Sequence, residues 1–241
     1  FCVVVFIGLE RVRRTSARLA TEVSIVLGGA LLRLVYLLHT PFDVRSHDVY
    51  GHFDYIMYAL REWQIPPAQH GWEFFQPPLY YFATAAFSLP LRLLFDVNRS
   101  MLLDISQVFT WILSSLTVVM AAWIARMLYP KKSEQGYAYI FLAVIAFYPG
   151  LVYSAARISN DAMMLLVSFA FFGAMYQWWL SPNRLKWILA CLVLSLCLLT
   201  KSSAIALIPL LFLVRFFRQM RPLSHVLRDG LLALLILGFT S

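Results

Sequence analysis

Residues 46–81 read SHDVYGHFDYIMYALREWQIPPAQHGWEFFQPPLYY and interrupt a chain that is otherwise largely apolar. They hold three of the five histidines and four of the twelve acids. Asp48, His52 and Tyr55 are spaced i, i+4 and i+7, which predicts a short helix with all three on one face. An acid, an imidazole and a phenol on one face predict a reaction site. The alternative is that Asp48 only caps the helix after Ser46.

The same predicted helix has an apolar stripe about a quarter turn from that face, which is typical of a helix in a membrane interface. The stripe consists of Val49, Phe53, Ile56 and Leu60. Further along the stretch, four aromatic residues fit an interfacial belt better than a platform for a sugar. They are Trp63, Trp72, Phe74 and Phe75.

The composition excludes a soluble globular protein. Of the 241 residues, 61% are hydrophobic and only 13% are charged, which indicates a polytopic membrane protein. The net charge of +8 comes from short cationic clusters between apolar runs, a pattern that sets membrane topology and does not indicate nucleic-acid binding. The three cysteines show no disulfide framework or metal-type spacing. We interpret the chain as a piece of a longer protein, since it begins at Phe1 and ends in an apolar run.

Apolar runs predict about seven membrane spans in one all-α module that covers residues 1–241. The runs cover residues 22–42, 105–127, 136–156, 162–180, 186–217 and 229–241. As one helix, residues 186–217 would be ~48 Å long, too long for a single crossing of a roughly 30 Å core. We therefore split this run into two short helices at residues 200–202. Arg33 lies inside the first run, where it must snorkel or face a polar cavity.

A further apolar run, residues 79–95, decides the topology. If it lies on the membrane surface, thirteen of the twenty cations fall on the inner side, whereas nine of these fall outside if it spans. Those thirteen are Arg11, Arg13, Arg14, Arg18, Arg126, Lys131, Lys132, Arg184, Lys186, Arg215, Arg218, Arg221 and Arg228. The positive-inside rule favours the surface helix, and Pro90 and Arg92 also argue against a span. We therefore predict an outer loop over residues 43–104 with two surface helices, the second of which opens at residues 77–78.

This topology brings four charged residues to one membrane surface. Asp48 is the candidate general base, because an acid among aromatic and apolar groups can take the proton of an attacking hydroxyl. Asp161 either joins this catalytic site or caps its own helix. Arg157 pairs with Asp161, binds an anionic head group, or snorkels from a helix end. Lys201 either contacts a phosphate or snorkels at the break between two apolar helices.

Three histidines in the opening stretch raise the question of a metal site. His47, His52 and His70 are able to bind a metal together with Asp48 or Glu73, but their spacing matches no strong zinc pattern. The sequence has no glycine-rich phosphate loop and no nucleophile elbow. We assign no cofactor, and a divalent metal stays an open alternative.

Four short motifs follow one another in a recognisable order. They are H-D-x-x-x-H-x-x-Y-I at 47–56, P-P-L-Y-Y at 77–81, R-x-x-N-D at 157–161 and T-K at 200–201. In this order they resemble the GT-C superfamily of membrane glycosyltransferases. The most similar group is the protein O-mannosyltransferase-like one, which includes bacterial lipid A and lipopolysaccharide sugar transferases. The resemblance covers nearly the whole chain, which would be the amino-terminal spanning module of that fold.

The resemblance implies an inverting transferase that moves a sugar from a polyprenyl-phosphate carrier to a lipid, glycan or protein acceptor at the outer or lumenal membrane face. It implies that Asp48 is the base, that Asp161 helps to position acceptor or metal, and that Lys201 lies near the donor phosphate. With the residue arguments above, we predict a substrate-binding set of His52, Tyr55, Arg157, Asn160 and Lys201. The expected location is a bacterial inner (plasma) membrane, in preference to the ER membrane of a eukaryote.

Two departures from the family pattern bear on the metal. The family often has a histidine before the Pro-Pro pair, where this chain has Gln76. Many members carry a paired acid in the first motif, whereas here His47 precedes Asp48 and Val49 follows it. Both departures weaken the case for a metal requirement.

Two other function classes compete with the enzyme. A transporter or flippase-like protein for lipid-linked sugars would place its charges near the membrane midplane, whereas the charges here gather at one predicted face. A non-catalytic relative that acts as a partner subunit would be favoured by loss of the acid in the first motif, but Asp48 is present. The sequence therefore favours the transferase.

Overall fold

The structure of the protein is a computed structural model. This structure describes the backbone of residues 2–44 and 48–219, and the side chains of residues 17–44 and 48–218. Within these residues the chain is helical and contains no strand, which confirms the predicted all-α class. The last predicted span, residues 229–241, and the loop cations Arg221 and Arg228 lie outside the described residues.

The helices follow the apolar runs, with short connections between them. In chain order they are α1 (Cys2–Leu38), α2 (Val49–Glu62), α3 (Leu79–Leu94), α4 (Arg99–Leu128), α5 (Gln135–Phe147), α6 (Pro149–Tyr153), α7 (Asp161–Leu180), α8 (Arg184–Thr200) and α9 (Ile208–Gln219). Two of the starts have a clear local cause. The side chain of Asn98 accepts a hydrogen bond from the backbone of Met101, and that of Asn183 accepts one from Lys186. The cap at Asn98 explains why α4 begins earlier than its apolar run.

Three of the described helices are long and apolar enough to cross a membrane. They are the Ala17–Leu38 part of α1, α4 and α7. A fourth span results if the bent pair Lys132–Phe147 and Pro149–Ala156 counts as one crossing, with a bend of 44°. The predicted break in the run 186–217 is present, because α8 ends at Thr200 and α9 begins at Ile208. The described residues thus contain three or four candidate spans of the seven expected.

Antiparallel packing gives the bundle two ends that each collect residues from distant parts of the chain. At one end, Glu22 of α1 pairs with Arg126 from the last turn of α4. We call this end, defined by Glu22 and Arg126, the basic end. At the other end, the Gln107 side chain of α4 donates hydrogen bonds to the carbonyls of Thr40 and Ala156. We call this end the site end, because the candidate catalytic residues lie there.

Helix α2 is enclosed on two faces, which corrects the expectation of an apolar stripe on a membrane interface. Val49, Phe53 and Ile56 belong to the main hydrophobic core, together with parts of α3 and α4. His52 and Tyr55, on the neighbouring face, are also buried. The stripe therefore packs inside the protein, because α3 and the first half of α4 cover it.

Helix α3 packs against α4. The Tyr80 ring near its start and the Phe87 ring two turns later both contact Phe109 of α4, with centroid distances of 6.4 and 5.0 Å. The 16 residues of α3 are too few for a span by length. Its position on the membrane surface stays a prediction.

Arg33 neither snorkels nor faces an open cavity. Its side chain is buried between α1, α4 and α5, and its guanidinium donates to Ser114 Oγ and to the carbonyls of Ile145 and Ala146. Those carbonyls lie just before the bend between α5 and α6, where Pro149 has no N–H to offer. Arg33 thus satisfies backbone acceptors that the bend leaves open.

Candidate active site

Four charged residues from separate elements meet at the site end. An Nη of Arg157 lies 3.5 Å from Oδ1 of Asp48, and Nζ of Lys201 lies 2.5 Å from Oδ1 of Asp161. Arg157 also interacts electrostatically with Asp161, which joins the two pairs into one cluster. The exposed fractions of these side chains run from 24% to 38%. A polar molecule at this end of the bundle is therefore able to reach all four.

Breaks in the helices place these side chains. Asp48 immediately precedes α2, Arg157 ends the short 3-10 turn after α6, and Lys201 follows the last residue of α8 in an extended conformation. Asn160 holds the parts together, because its side-chain amide donates to the Thr200 carbonyl at 3.0 Å and to Gln76 Oε1 at 3.2 Å. Asn160 is fully buried, so its amide nitrogen has a structural task in addition to its predicted contact with substrate.

Neither acid uses its side chain to cap a helix. Asp48 occupies the N-cap position of α2, but its side chain accepts no capping hydrogen bond. Asp161 is the first residue of α7 rather than its N-cap, which is Asn160. Its Oδ1 is instead engaged by Lys201. The capping interpretation of these two acids therefore finds no support in the hydrogen bonds.

His52 lies behind Asp48 rather than at the surface. Its Nδ1 is 2.7 Å from Tyr81 Oη, and its Nε2 is 3.4 Å from Asp48 Oδ2. Burial raises the pKa of Tyr81 well above its ordinary value, so the phenol stays protonated. Its O–H donates a hydrogen bond to Nδ1 of His52. Burial also lowers the pKa of His52, against the opposing charge of Asp48. We infer a neutral imidazole whose Nε2–H points toward Asp48.

Tyr55 is part of an aromatic stack beneath the site. Its ring lies parallel to that of Tyr81, with centroids 3.8 Å apart and 4° between the planes. Burial raises the pKa of Tyr55 to about 12, so its phenol stays protonated at neutral pH. The predicted sharing of a face by Asp48, His52 and Tyr55 holds, but only Asp48 reaches the partly exposed cluster.

Buried polar atoms without a hydrogen-bond partner concentrate at this site among the described side chains. They include Asp48 Oδ1, Tyr55 Oη, Arg157 Nε and Asn160 Oδ1. Asp48 Oδ1 still faces Arg157, but at 3.5 Å the contact is an ion pair and not a hydrogen bond. Buried polar atoms in folded proteins nearly always have partners. Asp48 and Arg157 belong to the partly exposed cluster, whereas Tyr55 and Asn160 are fully buried, so only the first two place unpaired polar groups next to a molecule bound at this end.

The described residues do not fit a divalent metal ion. Arg157 faces one oxygen of Asp48, the protonated Nε2 of His52 faces the other, and Lys201 holds Asp161, so each carboxylate already has a positively charged neighbour. Among the described side chains, no three of His, Cys, Asp and Glu are grouped as metal ligands require. His47 lies outside the described residues. We therefore derive no step through a metal.

Two residues beneath the site, Gln76 and Tyr81, were not predicted as site residues, and Glu73 was named only as a possible metal ligand. Glu73 is buried, and its Oε2 accepts a hydrogen bond from Gln76 Nε2 at 3.1 Å. Gln76 in turn accepts from Asn160, which links the loop before α3 to α7. Gly51 leaves room for the Glu73 side chain, since a Cβ there would lie 2.8 Å from Glu73 Cγ. Tyr81, in the Tyr-Tyr pair, orients His52.

The predicted aromatic belt is divided by the structure. Trp63, Trp72 and Phe75 are exposed at the site end, as a membrane or ligand contact requires. Phe74 is buried against Tyr55, with ring centroids 5.4 Å apart, and belongs to the core. Glu73 and Phe74 turn inward together, and Trp72 and Phe75 on either side of them are exposed.

The chain matches no protein-family model and no curated protein sequence. The resemblance to GT-C glycosyltransferases therefore rests on the order of the four motifs and on the residues themselves. What the site can do chemically follows from its own groups: two carboxylates, two cations and a buried imidazole within one partly exposed cluster.

Proposed function

We propose that the protein is a membrane glycosyltransferase that moves a sugar from a polyprenyl-phosphate carrier to a lipid, glycan or protein acceptor at the outer or lumenal face. The observation that carries the proposal is the cluster of Asp48, Arg157, Asp161 and Lys201 at one end of an apolar bundle. The cluster combines a base for a hydroxyl with cations for a phosphate. Its place at the end of candidate spans suits substrates whose lipid part stays in the membrane.

The reaction needs one proton acceptor and one stabilised leaving group. The acceptor oxygen attacks the anomeric carbon from the side opposite the phosphate, and its proton passes to a carboxylate. The bond between the anomeric carbon and the phosphate oxygen breaks, and the electron pair leaves with the polyprenyl phosphate. Arg157 and Lys201 then stabilise the charge that develops on the phosphate. A single displacement of this kind inverts the anomeric configuration.

The contact distances favour Asp48 over Asp161 as the base. Asp161 is held by Lys201 at 2.5 Å, a short charge-assisted contact that occupies the oxygen. Asp48 has looser neighbours, at 3.5 Å to Arg157 and 3.4 Å to His52. Its Oδ1 makes no hydrogen bond within the described residues. Asp161 is therefore better suited to orienting Lys201 toward a phosphate.

The transporter alternative predicts a different charge distribution. A substrate path through the bundle would need polar residues near the middle of the spans. In the described α1 span, the one charged residue at such a depth is Arg33. Its guanidinium donates hydrogen bonds to the neighbouring helices and is therefore not available to a substrate. Sugar transfer without net transport of the carrier would separate the enzyme from this alternative.

Asp48→Asn tests the proposal directly. The substitution keeps the shape of the side chain and removes its ability to accept a proton at neutral pH. We expect single-turnover transfer from a radiolabelled polyprenyl-phosphate sugar to fall about 100- to 10,000-fold in the full-length protein. Binding of the donor lipid should persist, because Arg157 and Lys201 remain.

Asp54→Asn is the matched control. Asp54 lies on the same helix, but it is exposed and pairs with Arg99 at the surface. This variant should keep near-normal transfer. Near-normal transfer by Asp48→Asn would end the assignment of the base, and equal losses in both variants would mean that α2 is merely sensitive to lost charge.

A further inference from the structure

A groove between α1 and α4 lies at the basic end, away from the candidate active site. It comprises two cavities of about 320 and 250 Å³, which adjoin because Glu22 and Arg126 line both. The described residues leave the groove open along the side of the bundle. Neither cavity contains a residue of the proposed reaction.

The mouth of the groove carries two oriented guanidinium groups. Glu22 is almost fully buried, and its two oxygens accept from Nε of Arg18 at 2.8 Å and from Nε of Arg126 at 2.5 Å. Each arginine is thus held through Nε, and an Nη of Arg18 also donates to the Tyr129 carbonyl at 3.4 Å. The terminal nitrogens of Arg126, whose side chain is 48% exposed, make no hydrogen bond within the described part of the chain. Among the described side chains, the mouth has two positive charges and one negative charge, a net charge of +1.

The rest of the groove is apolar. Apart from Glu22 and Arg126, the cavity of about 250 Å³ is lined by apolar residues. They are Val23, Val26 and Leu27 of α1 and Val119, Ala122 and Trp123 of α4. Leu27 and Val119 are at least half exposed, and their exposure in a candidate span is typical of contact with lipid. Trp123 has a fixed position, because its ring packs directly on Gly173 of α7. A slot of this shape suits a hydrocarbon chain beneath a charged head.

We propose that this groove binds an anionic glycerophospholipid, with the phosphate on Arg126 and Arg18 and one acyl chain between α1 and α4. The charges select the head group. One phosphodiester neutralises this net +1, whereas a choline finds no free acid among the described lining residues, since both Glu22 oxygens are engaged. Anionic lipids are also the lipids that basic residues at a membrane surface attract. This inference is independent of the proposed reaction at the other end.

Native mass spectrometry of the purified full-length protein tests the site with phosphatidylglycerol and phosphatidylcholine as separate probes. We expect phosphatidylglycerol to bind with a stoichiometry of at least one and phosphatidylcholine to bind more weakly. Arg126→Gln should weaken phosphatidylglycerol binding about tenfold, because it removes one charge-assisted contact. Lys132→Gln removes an exposed charge near the same end, outside the groove lining, and should change binding little.

A second variant keeps the test decisive if Arg126→Gln folds poorly. Val119→Trp places a bulky side chain in the groove and leaves the Glu22 contacts intact, so it should also weaken phosphatidylglycerol binding. Equal losses in Arg126→Gln and Lys132→Gln would overturn the proposal in favour of general surface charge. Undiminished binding by Val119→Trp, or equal binding of phosphatidylcholine, would overturn it as well. Preference for a polyprenyl phosphate over phosphatidylglycerol would assign the groove to the carrier lipid instead and overturn the glycerophospholipid.

Discussion

At the scale of single residues, Asp48 and His52 show how burial divides tasks between neighbours on one helix face. Asp48 is one-third exposed and accessible from the site end, whereas the His52 side chain is only 3% exposed. The imidazole is held between Tyr81 and Asp48, so any effect of His52 on the reaction passes through the carboxylate. We therefore regard His52 as a residue that positions Asp48, although it was predicted to bind substrate.

The buried position of His52 predicts how it titrates. Desolvation lowers its pKa below the ordinary value of 6.5, so the imidazole is neutral in the folded protein at pH 7. Because the folded pKa is the lower one, the contribution of His52 to stability is fully present above the unfolded pKa and is lost as pH falls from that value through the folded pKa. The loss is at most about 1.4 kcal/mol for each pH unit. Ring NMR signals should show His52 titrating below pH 6.5.

His52→Gln assigns the NMR signal and isolates the effect on stability. Between pH 8 and 5.5, thermal unfolding of the wild type should lose more stability than that of His52→Gln. An imidazole that titrates above pH 6.5, or an equal pH dependence in both proteins, would contradict the neutral buried histidine.

At the scale of elements, α4 and α7 pack closely because α7 has a glycine, Gly173, where it contacts α4. A Cβ built on Gly173 of α7 would lie 2.1 Å from Cζ3 of Trp123 of α4. Small residues at such contacts allow helices in membranes to approach closely. The contact fixes α7 against α4, and α7 carries Asp161 at its first turn. The packing of these two helices therefore supports the geometry of the site.

Gly173→Ala should destabilise the protein by about 1–3 kcal/mol, since the added methyl forces the Trp123 ring to move. Gly136→Ala is the matched control, because a Cβ at Gly136 meets nothing within 4 Å. That variant should be neutral or more stable by up to about 1 kcal/mol through helix propensity. Thermal unfolding in one detergent measures both. Equal behaviour of the two variants would show that the contact does not matter, and Trp123→Leu should partly rescue Gly173→Ala.

At the scale of the whole molecule, the two ends of the bundle differ in chemistry. The site end carries paired acids and cations, and the basic end carries Arg18 and Arg126 around Glu22. Both arginines belong to the cations that the positive-inside rule assigns to the inner side. Arg18 of α1 and Arg126 of α4 both contact the Glu22 carboxylate, so the packing of α1 against α4 brings these two cations together. The orientation of the bundle in the membrane follows as a prediction from this asymmetry.

Cysteine labelling in intact cells tests that orientation. Within residues 1–241, Cys2 is replaced by serine, and the other two cysteines, Cys191 and Cys197, are buried. A membrane-impermeant maleimide should label Asp96→Cys, which is exposed between α3 and α4, from outside. Lys132→Cys at the other end should label only after permeabilisation, which also serves as the control for its reactivity. Labelling of Lys132→Cys in sealed cells would reverse the assigned topology.

The sequence by itself determined the class of the protein and the course of most of its helices. Hydropathy and helical periodicity are local properties, so the apolar runs, the start of α7 and the break after Thr200 were all predictable. The motif order also named Asp48, Arg157, Asp161 and Lys201, which the fold brings to one end.

Only the tertiary structure decided which partners these residues have. Arg157 pairs with Asp48, and His52 is buried against Tyr81. Arg33 donates hydrogen bonds to carbonyls before the bend between α5 and α6. All these contacts join segments that are far apart in the chain. The sequence also could not show that the stripe of α2 faces the core, because lipid and protein interior both select apolar side chains. Hydropathy locates a helix, but contacts with the helices around it decide which face is buried and which charge finds a partner.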